Sequence, residues 1–221
     1  MRPTWNILIF IFIIITSTPF YSSAQNPAMK PAIEKLKAGK KFQRNGQHDK
    51  AIENYQQALT LFRKLGKEDG VALSLSSIGE MHNFWGQYDK AIENYQQALA
   101  LFTKLGIEEG IAISLNNIGG VYNSWGQYDK AIENFQQALT IARRLKIGGR
   151  IAVYLNNIGG VYKAWGQYDK AIENFQQALT LFRKLGTEDK IALSLNNIGT
   201  VYQAWGQYDK AIENFQQALT L

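Results

Sequence analysis

Cysteine is absent from this chain, and with it disulfides, thiolate metal sites and a cysteine nucleophile. Histidine is almost absent as well. His48 and His82 are too few for a histidine zinc site, so metal and redox chemistry are not expected and no cofactor is called for. Proline occurs only at positions 3, 19, 27 and 31, which leaves 32–221 free of it and favours helices over a turn-rich β architecture. There is no phosphate-cradling loop. Gly119-Gly120 and Gly159-Gly160 fall inside helical patterns, and Gly148-Gly149 is not followed by Lys-Ser/Thr. The recurring Ser74, Ser114 and Ser194 have no histidine in matching places, and the recurring acids stand beside lysine, so the chain does not read as an enzyme.

What the chain does have is a repeat. The ten residues Trp85-Gly-Gln-Tyr-Asp-Lys-Ala-Ile-Glu-Asn94 return unchanged at 125–134, 165–174 and 205–214, a period of 40 residues. A fifth, degenerate copy begins at Asn45, without the Trp and the Tyr. Self-similarity at such a period signals a solenoid or a propeller, and the content of one unit decides between them.

Leu195, Ile198, Gly199, Tyr202 and Trp205 fall on one face of a helix, and Gly206 marks its end. Tyr208, Ala211, Ile212, Phe215, Ala218 and Leu219 fall on one face of a second helix, with Asp209 in its first turn where the dipole favours an anion. Each unit therefore reads as helix, tight turn, helix, turn. A glycine inside the first helix costs about 1 kcal/mol relative to alanine, so its return at Gly39, Gly79, Gly119, Gly159 and Gly199 marks a close approach by a neighbouring helix. Tyr202, Phe215 and Trp205 are read as fillers of the wider gaps between helices, not as a cofactor box. The segment Ile141–Arg150 moves the turn glycine to Gly148 and replaces a Phe by Ala142, so a different turn is expected there.

The formal charge of +6 comes from cations in two recurring places. One is the lysine after the Asp at each second-helix start, from Lys50 to Lys210, with a Glu three residues on; the other is a helix end such as Arg143-Arg144. That is a solvated, dipole-matched face, and no nucleic-acid partner is expected.

At the N-terminus, Arg2, the apolar run Ile7 to Ile15, and small residues Ser22 and Ala24 form a signal-peptide pattern over 1–24, with cleavage before Gln25. The apolar run is too short to span a bilayer, so a membrane association is expected only if the signal stays uncleaved. Export to the periplasm or the medium follows. Residues 25–31 read as a linker and 32–221 as the array, in units of about 32–71, 72–111, 112–151, 152–191 and an incomplete 192–221. Lys35, Ala38 and Phe42 depart from the later units, as suits a capping unit. Leu221 falls inside a second helix, which reads as a fragment or as one end of a longer protein.

The order Leu195, Ile198-Gly199, Tyr202, Gly206, Tyr208, Ala211, Phe215, Ala218 resembles the tetratricopeptide repeat over about 32–221. Two departures stand out: the 40-residue period, and Arg63, Thr103, Arg143 and Arg183 where that repeat has its helix-ending proline. Both are similar to the longer-helix arrays of kinesin light chains and of many bacterial proteins. The resemblance implies an all-α, right-handed superhelical solenoid of antiparallel helix pairs that binds a protein or peptide partner in a concave groove lined by the first helices. It leaves a second function open, the recognition array of a larger enzyme or signalling protein whose catalytic domain follows residue 221. A third is end-to-end self-association.

Comparison of the copies locates the groove. Positions fixed by packing repeat, whereas positions that read a partner are free to differ. Glu80, Asn83, Asn123, Lys163, Thr200 and Gln203 occupy the variable places, and the pairs Asn116-Asn117, Asn156-Asn157 and Asn196-Asn197 lie one turn earlier. Amides both donate and accept, so these residues suit an extended peptide backbone. One amide of each pair bonding the neighbouring helix is the competing reading.

Overall fold

The computed structural model describes residues 27–220; residues 1–24, read from the sequence as a signal peptide, and Leu221 lie outside the described residues. Within them run ten α-helices and no strand. A 3₁₀ turn at Pro27–Met29 leads into α1 (Lys30–Arg44) and α2 (His48–Lys64). The pairs α3 (Glu68–Phe84) and α4 (Tyr88–Lys104), α5 (Glu108–Ser124) and α6 (Tyr128–Arg144), and α7 (Gly148–Ala164) and α8 (Tyr168–Leu185) follow. The last pair is α9 (Glu188–Ala204) and α10 (Tyr208–Leu219). Each helix packs on its successor, and α3, α5, α7 and α9 also touch in series, which is the layout of a solenoid.

Two of the expected boundaries shift. The first helix begins at Lys30, inside the segment read as a linker, because Pro31 sits in the first turn, where a missing N–H costs nothing. The units divide before Glu68, Glu108, Gly148 and Glu188, four residues earlier than the expected 72, 112, 152 and 192. Glu68-Asp69 and Glu108-Glu109 occupy the first helical turn, where the dipole favours them.

The turn inside each unit is a Schellman motif. Gly126 N–H donates to the Asn123 carbonyl (3.1 Å) and Gln127 N–H to that of Tyr122 (2.9 Å), with Gly126 at φ 77°. Gln127 then accepts from Ala131 N–H (3.0 Å) and so opens the next helix. Three residues, Trp-Gly-Gln, thus close one helix and begin another. The turn at 145–147 keeps this shape, contrary to the sequence expectation, because Lys146 itself adopts φ 55° while Gly148 and Gly149 enter the first turn of α7.

The core is built where small residues meet aromatic ones. A Cβ on Gly119 would stand 3.0 Å from ring carbons of Phe135 and 3.1 Å from the Ala131 carbonyl, and the four equivalent glycines face Tyr55, Tyr95, Phe175 and Phe215 in the same way. A second such contact is Gly110 under Phe102, at 2.5 Å. The junction between the third and fourth units exchanges it. Ala142 replaces the Phe, Arg150 the Gly, and Tyr154 the serine that in the second and third units bonds back along the helix, as Ser114 does to Gly110 (2.9 Å). The Tyr154 ring is 1% exposed, and its burial pushes the hydroxyl up to about 12.

The tryptophans do not fill the core. Trp85, Trp125, Trp165 and Trp205 are 36% to 41% exposed, because each is a C-cap residue at the edge of the array. The second-helix lysines also differ from expectation: Lys130, Lys170 and Lys210 lie 5.3 Å over the rings of Tyr122, Tyr162 and Tyr202. The cations at helix ends tie the two helices of one unit together, as Arg144 does to Glu108 at 3.1 Å, an exposed pair worth under about 1 kcal/mol.

Candidate functional site

A groove of about 790 Å³ runs along the face formed by α3, α5, α7 and α9. The 3.6-residue period that buries Ile118, Gly119 and Val121 turns Asn116, Asn117, Gly120 and Asn123 toward it, and the offset recurs in full in α7 and in part in α3 and α9. Of the residues expected there, Glu80, Asn83, Asn116, Asn117, Asn123, Asn156, Asn157, Lys163 and Asn197 line this groove. Asn196, Thr200 and Gln203 stand outside its lining, although Thr200 joins it indirectly by accepting from Lys163 Nζ (2.8 Å).

The amides are not all turned to an incoming ligand. Asn157 Nδ2 donates to Asn116 Oδ1 (2.7 Å) and Asn197 Nδ2 to Asn156 Oδ1 (3.0 Å), each bond tying one first helix to the next. These four side chains form a ladder within the wall: one amide of the first and last pairs, Asn116 and Asn197, and both of the middle pair, Asn156 and Asn157, bond a neighbouring helix, which goes further than the competing reading of one amide per pair. What a ladder of shared amides leaves for a partner is its second donor and acceptor capacity.

Charge is sparse and unevenly placed. At one end, burial raises the Glu80 carboxyl, while a hydrogen bond from Gln43 and the nearby Lys40 pull it back. Lys40 is itself lowered to about 8, chiefly by burial, with Glu80 opposing. Gln43 Oε1 also accepts from the Tyr55 hydroxyl (2.6 Å). Toward the other end, burial lowers Lys163, which donates to the neutral Thr200 hydroxyl.

Sequence comparison did not single out three features of this surface. Tyr88, Tyr95, Phe135 and Phe175 reach it from the second helices through the gaps that the glycines leave. Lys40 and Gln43 extend the polar cluster into the first unit. Gly120 and Gly160 face the groove with nothing within 4 Å of a Cβ, so no packing inside the chain requires them. The signal was present in the register: positions 40, 80, 120, 160 and 200 read Lys, Glu, Gly, Gly and Thr. Among the described residues no cluster of His, Asp and Glu could hold a metal ion.

Comparisons with known proteins agree with this geometry. The tetratricopeptide repeat model matches residues 39–104, 86–144, 110–184 and 150–221. No curated protein sequence matches the chain. Among solved structures, BtubC (BKLC) from P. vanneervenii is similar at 24% identity with a TM-score of 0.77, covering 90% of this chain and 84% of that one. A putative kinesin light chain with nearly identical TPR-like repeats from Podosopora anserina has 22% identity and a TM-score of 0.71, over 89% and 96% of the two chains. A Rap protein complexed with Competence and Sporulation Factor has 19% identity and a TM-score of 0.78, over 100% and 66%.

Proposed function

Because the chain belongs to the tetratricopeptide repeat family, which serves as a scaffold for protein interactions, we propose that it is an exported scaffold whose concave groove holds an extended peptide of a partner protein. The observation that carries this is the continuous groove over four units, walled by amides and floored by two glycines that the fold itself does not need. An extended backbone presents alternating donors and acceptors, which amides match without regard to sequence, while the space over Gly120 and Gly160 admits the side chains that confer choice. A structurally similar array, the Rap protein, is complexed with a regulatory factor, which supports a binding role. Export rests on the N-terminal pattern alone; N-terminal sequencing of the secreted protein should read from Gln25, and retention of Met1 on membranes would replace a released scaffold by an anchored one.

The test uses a displayed library of random linear peptides, with Gly120→Leu/Gly160→Leu as the reference variant. Leucine favours a helix and its Cβ meets nothing within 4 Å at these sites, so the variant should fold while its groove is filled. Selected peptides should bind the native chain at least about tenfold more tightly, equivalent to about 1.4 kcal/mol. Failure to select any peptide, or equal binding to both proteins, contradicts the proposal.

A further inference from the structure

The groove leaves unexplained the most regular exposed feature of the molecule, the aromatic edge at the turns inside the units. There Tyr88 packs against Trp125, Tyr128 against Trp165 and Tyr168 against Trp205, with ring centroids 5.8, 6.0 and 5.9 Å apart. These pairs bridge successive units, which accounts for one face of each tryptophan. It does not account for an indole at this place, because leucines cap the turns between units at similar exposure, Leu105 at 40% and Leu145 at 36% against 39% to 41% for Trp125, Trp165 and Trp205. Beside the last pair lies a recess of about 300 Å³ walled by Gly166, Gln167, Tyr168, Asp169, Lys170 and Trp205. The units around Trp125 and Trp165 carry the same residues in the same register.

We propose that this edge binds a neutral, extended, β-linked polysaccharide. Three observations select that chemistry. First, a half-exposed indole is a flat apolar platform, and the face of a sugar ring carrying axial C–H groups stacks on it as other apolar and cationic groups do on aromatic rings. Second, each step adds one carboxylate, one amide and one ammonium in Asp169, Gln167 and Lys170. That is a donor and acceptor set for hydroxyl groups with no net charge, which neither attracts nor repels along the edge and so does not suit a polyanion. Third, the platforms recur once per unit, so the surface fits a ligand that itself repeats. Adjacent first helices are close enough for Asn157 to reach Asn116, which sets the platforms on the order of 10 Å apart. In an extended β-linked chain alternate sugars present the same face, and a disaccharide spans such a step. Unlike the groove, this surface carries the same residues in the second to fifth units, the first having Asn45 and His48 instead, as expected of a site that reads a uniform polymer.

The test is retention of the full chain on washed chitin and cellulose, with tryptophan fluorescence titrated by the soluble hexaoses of the same two polymers. Trp125→Ala/Trp165→Ala should weaken retention at least tenfold, and Trp125→Tyr/Trp165→Tyr, which keeps a ring, should restore most of it. Asp129→Asn/Asp169→Asn, at exposed first-turn sites, should weaken binding at least about threefold, with only the small fall in melting temperature that loss of a helix-dipole anion gives. Absence of retention on either polymer overturns the proposal. So does undiminished binding by the alanine variant, or a loss in that variant that follows only its melting temperature, which would make the ladder a structural staple. Binding to phosphatidylcholine–phosphatidylglycerol vesicles in place of the polymers would assign the edge to a lipid surface instead.

Discussion

Gly119 and Gly160 lie in equivalent helices, and their substitution by alanine should act in opposite directions. At Gly119 the added methyl meets Phe135 and the Ala131 carbonyl, and the backbone oxygen has no room to give. Overpacking of this kind costs about 1–3 kcal/mol, more than the gain of about 1 kcal/mol in helix propensity. At Gly160 nothing is met, so alanine should stabilise the free protein by up to about 1 kcal/mol. Urea midpoints of the two variants check both signs; a loss of stability at Gly160 would show that the chain needs this glycine for itself. Lys40 gives a prediction with pH. Its folded value of about 8 lies below the ordinary 10.5, so between these the unfolded chain holds more protons and stability rises with pH. Above about pH 10 the raised values of Tyr55 and Tyr95 act the other way, which leaves pH 8 to 10 as the window. Stability measured at its two ends should rise for the native chain relative to Lys40→Met. The packing glycines were legible in the sequence because a costly residue returned in register. The amide ladder was only half legible, since periodicity gives the face on which Asn116 and Asn157 lie but not the bond between them.

At the scale of one element, the tripeptide turn explains why the most repeated words of the sequence surround Gly86, Gly126, Gly166 and Gly206. The glycine supplies the left-handed residue, while the residue after it both closes the Schellman motif and opens the next helix. Lys146 occupies the same conformation in the third unit at a steric cost, and Lys146→Gly should raise stability by about 0.5–1 kcal/mol, read as a shift in urea midpoint. The sequence placed this turn at Gly148 because glycine is the expected left-handed residue, and nothing local signals that a lysine will take the role. The junction of the third and fourth units carries the exchange of Phe, Gly and Ser for Ala142, Arg150 and Tyr154. Restoring Phe alone at 142 should destabilise by overpacking, whereas Ala142→Phe with Arg150→Gly and Tyr154→Ser should recover most of the loss, since the three positions share one space. Unit boundaries were less legible than helices, because the acids of Glu68-Asp69 suit a turn and a first helical turn equally.

For the whole molecule, consecutive packing makes stability a sum over units and their interfaces. Deleting residues 108–147, one unit in register, should leave a shorter array with the same helicity per residue by circular dichroism, and general unfolding would argue for a single core. The all-helical solenoid was legible throughout the repeats because every level agreed, from the absence of proline to the 3.6-residue period and the turn glycines. The direction in which exposed faces work was not, and the tryptophans, read as core, proved to form an edge. The central claim, that the series of first helices is the surface that receives a peptide, is tested most directly by backbone amide NMR of the chain titrated with a library-selected peptide. The account predicts that the shifted resonances fall at Asn117, Gly120, Asn157 and Gly160 and their groove neighbours; shifts confined to the outer faces of the second helices or to the tryptophan edge would contradict it.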